Sequence, residues 1–163
     1  MNRISKTIIT SLMIAALVSL TNAQQNAVFT TPAGETISLS TLRGQVVVLV
    51  FGGVSDPQCR EEFKALQTLA DKYANSKVAV FWVSIDAPAS VSDAELKAPC
   101  GPAGSVKVVR DASRAAFKQF GGKQLPTIVI LDKAGNVAGQ PRGGFNPNAA
   151  FINSISDLID GLL

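Results

Sequence analysis

The sequence predicts an α/β fold: a mixed central sheet with helices on both faces and an N-terminal β-hairpin. Two observations carry this reading. Three apolar runs rich in β-branched and aromatic residues, Val46–Phe51, Val78–Ile85 and Thr127–Leu131, have the continuous hydrophobicity of strands buried on both faces. Between and after them come stretches whose apolar residues recur at helical spacing, in the order βαβ, α, β-hairpin, α.

Residues 24–45 are polar, with alternation at Val28/Thr30 and Ile37/Leu39 around the turn formers Pro32-Ala33-Gly34, which predicts the hairpin. Gly52-Gly53 ends the first long strand. Asp56 is a good N-cap and Pro57 suits a first helical position, so a helix is expected to begin there, with Phe63, Leu66, Leu69, Ala70 and Tyr73 inward. After the second strand, Asp93–Ala98 reads as one or two helical turns stopped by Pro99. Val106–Val109 reads as a short strand, and Ser113–Phe120 as a compact helix ended by Gly121-Gly122. Asp132–Asn136 is a hairpin turn, and Val137 opens the return strand. Asn148–Leu163 carries Phe151, Ile152, Ile155, Leu158, Ile159 and Leu162 near one face of a last helix.

The 163 residues, 47% apolar and 17% charged, suit one domain rather than a disordered chain. Residues 1–23 stand apart. Arg3 and Lys6, then the 13 residues Ile8–Leu20, then Thr21-Asn22-Ala23 have the three-part layout of a secretory signal peptide. The run is shorter than the roughly 20 residues of a membrane helix, so no stable span is expected after processing. The expected mature domain is 24–163, exported, with a bacterial periplasm as the natural compartment. Losing Arg3 and Lys6 lowers the net charge from +3 to +1, and no basic stripe exists, so nucleic acid is not an expected partner.

Histidine is absent, which excludes Ser-His-Asp and Cys-His catalysis, His-ligated zinc or copper and His-bound haem. Cys59 and Cys100 are the two cysteines, too few for a thiolate metal site, so neither metal nor cofactor is expected. A cysteine at the positive end of a helix is favoured as thiolate.

The ordered series Leu39–Phe51, Pro57-Gln58-Cys59-Arg60-Glu61-Glu62-Phe63, Val83–Asp86, Phe117–Gly121, Leu125-Pro126-Thr127 and Leu131–Gly135 resembles the thioredoxin-fold redoxins, specifically exported thiol–disulfide oxidoreductases of the TlpA/ResA type. The resemblance implies a thioredoxin-like fold and protein or peptide thiols and disulfides as partners. Pro126 matches the family's cis-proline, which turns the backbone of Leu125 toward the Cys-bearing helix end, where an extended peptide can pair with it. Glu62 matches the glutamate that such proteins use for proton transfer; a solvated surface charge is the other reading. One departure is central. The family's Trp-Cys-x-x-Cys is here Ser55-Asp56-Pro57-Gln58-Cys59, so Asp56 replaces the attacking cysteine and only the inner Cys59 remains. A carboxylate forms no mixed disulfide, so the ordinary two-thiol cycle at this motif is impossible.

Asp56 is also expected to accept a hydrogen bond from the N–H of Gln58 or Cys59. Its negative charge and burial of the sulfur oppose the helix end, so Cys59 is expected to be a sluggish nucleophile. Three readings of Cys59 stay open: a buried core thiol, a partner of Cys100, and a lone peroxidatic or mixed-disulfide thiol. Peroxiredoxins weaken the last, since they keep Thr or Ser at the place of Asp56 and Pro at that of Gly52. The functions that remain open are a thiol–disulfide oxidoreductase working through Cys59 with Cys100 as a distal partner, a redox-inactive peptide-binding module and a thiol peroxidase.

Overall fold

In the computed structural model, residues 26–98, 104–144, 146 and 148–163 are described. The expected signal peptide, residues 1–23, and Cys100 lie outside them.

The predicted sheet forms around Val46–Gly52 (β3), every residue of which is buried. Val28–Thr30 (β1), Thr36–Ser38 (β2), Val78–Ser84 (β4), Lys107–Arg110 (β5), Thr127–Leu131 (β6) and Arg142–Gly143 (β7) complete it, in the order β2-β1-β5-β4-β3-β6-β7. β4 runs parallel to β3 and β5 parallel to β4, whereas β6 is antiparallel to β3, so the sheet is mixed. The hairpin lies where the sequence places it, with Phe29 opposite Ile37.

Side-chain alternation along β3 splits the core in two. Val46, Val48 and Val50 join Val80, Trp82, Ile128 and Ile130 under the helices Cys59–Lys72 (α1) and Ala149–Asp160 (α4). Val47, Leu49 and Phe51 face the other way, against Phe29, Ala116 and Phe120, the last two in or beside the short helix Ala115–Gln119 (α3). Helices thus cover both faces. The Tyr73 hydroxyl donates to Asp160 Oδ1 at 2.6 Å, tying the end of α1 to α4.

Three expectations need correction. The helix expected to start at Pro57 begins at Cys59, and its N-cap is Gln58. The Asp56 carboxylate takes the Gln58 N–H at 2.9 Å, and the Cys59 N–H reaches the Asp56 carbonyl at 3.0 Å. Asp56 therefore closes a turn ahead of the helix and is not its N-cap, and Cys59 stands in first helical position. The return strand does not start at Val137, which makes one isolated bridge to Leu131. The chain turns away through Gly139, at φ 75°, and pairs again only at Arg142–Gly143. The helix placed at Ser113–Phe120 starts later, because Arg114 is left-handed and Asp111 caps the helix instead, accepting from the Ala115 and Phe117 N–H groups.

The helix–sheet interface is anchored by Phe63, which meets the Trp82 ring edge-on at a centroid distance of 6.0 Å, both side chains being fully buried. Phe63→Ala is expected to lower the unfolding free energy by about 3–5 kcal/mol in urea denaturation.

Candidate functional site

Three loops meet at one end of the sheet. Gly52 at the end of β3 pairs with Ser84 at the end of β4, and Phe51 pairs with Thr127 at the start of β6. The register puts Gly53–Gln58, the segment after Ser84 and the Gln124–Pro126 turn side by side. α1 begins at Cys59, so Asp56 and Pro57 lie in the loop between β3 and this helix, and Leu125 and Pro126 lie in the turn just before β6.

Cys59 is 4% exposed, packed in the cluster that contains Phe63 and Trp82, and is disulfide-bonded. Among the described residues no cysteine is free. Cys100, the chain's other cysteine, lies outside them.

Glu62 follows Cys59 by three residues, on the same stripe as Phe63 and Leu66, and points inward. Only 3% of it is exposed, and its Oε1 has no hydrogen-bond partner among the described residues. The solvated-surface reading is thereby corrected: the helical stripe carries this carboxyl into the core. Burial, with the negative charge of Asp56 added, pushes its pKa up to about 7. A buried carboxyl that is protonated in part at neutral pH, one helical turn from a disulfide sulfur, can give or take the proton that accompanies sulfur chemistry.

The Leu125–Pro126 peptide bond is cis. Pro126 is buried while Leu125 remains 37% exposed, a large apolar side chain offered at the surface. The turn is pinned from both ends. The Thr127 hydroxyl donates to the Gln124 carbonyl, and the Gly144 N–H donates to the Pro126 carbonyl at 2.8 Å. Gln124 lies across Gly143 so closely that a Cβ there would meet its Nε2 at 2.6 Å. A cavity of about 410 Å³ opens beside the turn, with Lys123, Gln124, Gln140 and Pro141 in its wall.

Two further residues shape this end. Asp86, just beyond β4, accepts the Val54 N–H at 2.9 Å and the Ser84 hydroxyl at 2.9 Å through Oδ2, holding the loop that leads to Asp56. Gly52 lies against Trp82, where a Cβ would come within 3.1 Å of the indole Nε1. An acidic residue directly after a strand was the available signal for Asp86. No group of His, Cys, Asp and Glu among the described residues could hold a metal.

Residues 20–140 match the AhpC/TSA family. The chain belongs to that family. No curated protein gives a significant match. Among solved structures, the chain is similar to a Chlorobium tepidum protein assigned as thiol:disulfide interchange protein DsbE, with 24% identity, 84% of this chain and 92% of that one covered, and a TM-score of 0.71. It is also similar to a secreted disulfide oxidoreductase of Mycobacterium tuberculosis, at 16% identity and TM-score 0.61 over 86% of this chain and 99% of that one. A thioredoxin-like protein from Aeropyrum pernix matches at 21% identity and TM-score 0.67, over 93% and 99%. At these identities the structural likeness establishes the fold, which is thioredoxin-like.

The raised Glu62 pKa sets a stability slope. Its folded value, about 7, exceeds the ordinary 4.5, so between these pH values the folded state holds the proton more tightly than the unfolded one. Unfolding free energy contributed by this group falls as pH rises from 4.5 to 7, then levels. Glu62→Gln is expected to flatten that slope in urea unfolding from pH 4 to 8, and Asp56→Asn to lower the Glu62 titration midpoint measured by carboxyl NMR. An unchanged slope in the first variant would show that Glu62 titrates normally.

Proposed function

We propose that this protein is an exported thiol–disulfide oxidoreductase of the TlpA/ResA type whose redox couple is Cys59 with Cys100, the outer cysteine of the usual motif being replaced by Asp56. The observation that carries the reading is the disulfide at Cys59, at the mouth of α1, in a chain with one other cysteine. The family supports redox chemistry, and the layout of residues 1–23 supports a signal peptide and a periplasmic or other extracytoplasmic site of action.

The chemistry follows from burial. Cys59 is screened from solvent, so an incoming substrate thiolate attacks the sulfur of Cys100, and Cys59 is the leaving group. As the S–S bond breaks, the departing Cys59 thiolate takes a proton from the Glu62 carboxyl. The second substrate thiol then attacks the mixed disulfide and releases Cys100. The net change is one protein disulfide reduced to two thiols and one substrate dithiol oxidised to a disulfide; the reverse sequence reduces a substrate disulfide. Asp56 takes no covalent part. It holds the turn before α1 and keeps Glu62 protonated to higher pH. Leu125 and Pro126 face this junction, and exposed Leu125 offers its backbone and side chain to an extended peptide.

The same exposed turn also suits a peptide-binding module without turnover. The peroxidase reading has less support, because the Trp82 indole crowds the place where a proline ring would stand at residue 52.

Mass mapping of the protein from its native compartment separates these readings. A Cys59–Cys100 bond that dithiothreitol opens quickly supports the oxidoreductase, and two free thiols would overturn it in favour of the module. Peroxide-driven closure of the bond would favour the peroxidase. Asp56→Cys, which restores an outer thiol ahead of Cys59, is expected to raise the rate of insulin-disulfide reduction above that of the parent; a variant no faster than the parent would refute the role assigned to Asp56.

A further inference from the structure

The buried guanidinium of Arg110 is unused by the chemistry above, yet it joins two parts of the redox couple's framework. Its side chain is 5% exposed. Nη1 donates to the Asp86 carbonyl at 2.8 Å; Nη2 donates to the Val91 carbonyl at 2.8 Å and to Asp93 Oδ1 at 2.9 Å. Asp86 in turn holds the Val54 N–H, two residues before Asp56 and five before Cys59. Asp93 opens the one-turn helix Asp93–Leu96 (α2), which Ser92 and Glu95 close with a reciprocal capping box and which buries Leu96 completely. Cys100 follows Leu96 by four residues in the sequence.

One planar group thus fixes the segment that leads to Cys59 and the element that leads to Cys100. Arg110 is itself rigidly held, because β5 pairs with β4 through Ser84 opposite Arg110, and the Asp111 N–H donates to the Ser84 carbonyl at 2.8 Å. Burying a guanidinium is costly unless its donors are met, and here two carbonyls and a carboxylate meet them across a gap that a lysine ammonium could not bridge in the same way.

The geometry points to Arg110 as a positioning residue for the redox couple: by clamping α2 through Asp93 and Val91 while holding the Asp86 loop, it raises the effective concentration of the Cys100 thiol at Cys59 and so sets how readily the disulfide closes. This rests on the Cys59–Cys100 pairing proposed above. When the bond is reduced, the clamp keeps α2 indexed to the framework that holds Cys59; without it, α2 samples more positions, and closure loses that advantage.

The test is equilibration of the protein with reduced and oxidised glutathione, in which two glutathione thiols become one glutathione disulfide for each protein disulfide opened. Arg110→Lys and Asp93→Ala are compared with the parent by thiol alkylation and mass mapping. Each is expected to lower the closure equilibrium constant by about tenfold, which is about 30 mV toward a more oxidising couple. Unfolding free energies of the oxidised and reduced forms are measured alongside. A purely structural role would weaken both forms alike and leave the glutathione equilibrium unmoved, and that result overturns the inference. Asp93→Ala keeps the buried arginine and decides the matter if Arg110→Lys fails to fold. A parent protein lacking the Cys59–Cys100 bond would sink the pairing itself, whereas a parent with the bond and variants with unchanged constants would sink only the clamp.

Discussion

A carboxyl group with one oxygen lacking a hydrogen-bond partner among the described residues, buried a helical turn from a disulfide sulfur, is the constraint around which this end of the molecule is organised. Such a group is tolerated in a core chiefly in its neutral form, and Asp56 nearby strengthens that preference. Cys59, Phe63 and Leu66 of the same inward stripe pack in one cluster with the indole of Trp82. The arrangement trades folding stability at higher pH for a proton kept close to sulfur.

The sheet makes that placement possible. A strand buried along its whole length, flanked by one parallel and one antiparallel neighbour, ends at the same level as β4 and where β6 begins. Loops that are distant in sequence are therefore adjacent in space, and short backbone and carboxylate hydrogen bonds hold them in register. The positions of Asp86 and Pro126 follow from where strands stop, with no need for direct contact between the loops and the cysteines.

The parts of the fold legible in the sequence were those with strong periodicity. β3, β4 and β6 are uninterrupted apolar runs, and α1 and α4 present clean helical stripes, so tertiary structure had little left to decide there. Boundaries set by local hydrogen bonding were read less well. Asp56 looks like a cap from its residue type, but its carboxylate closes a turn at Gln58 and delays the helix to Cys59. β7 has two residues and no period to detect. Glu62 was ambiguous because charge argues for solvent while spacing argues for the core; Cys59, Glu62, Phe63 and Leu66 fall at i, i+3, i+4 and i+7, and spacing prevailed. Arg110 gave no signal at all, since its three acceptors are two carbonyls and one carboxylate supplied by the chain at 86–93.

The near-contact between Gln124 and Gly143 decides the shape of the surface around Leu125. The floor beneath the cis-proline turn is bare backbone, contributed by a two-residue edge strand rather than by the strand that follows the turn. Any side chain at 143 would lift Gln124 and tilt the surface that Leu125 presents. The shape of the surface beside Leu125 is thereby adjustable from the margin of the sheet, by a substitution that leaves the strands of its centre untouched.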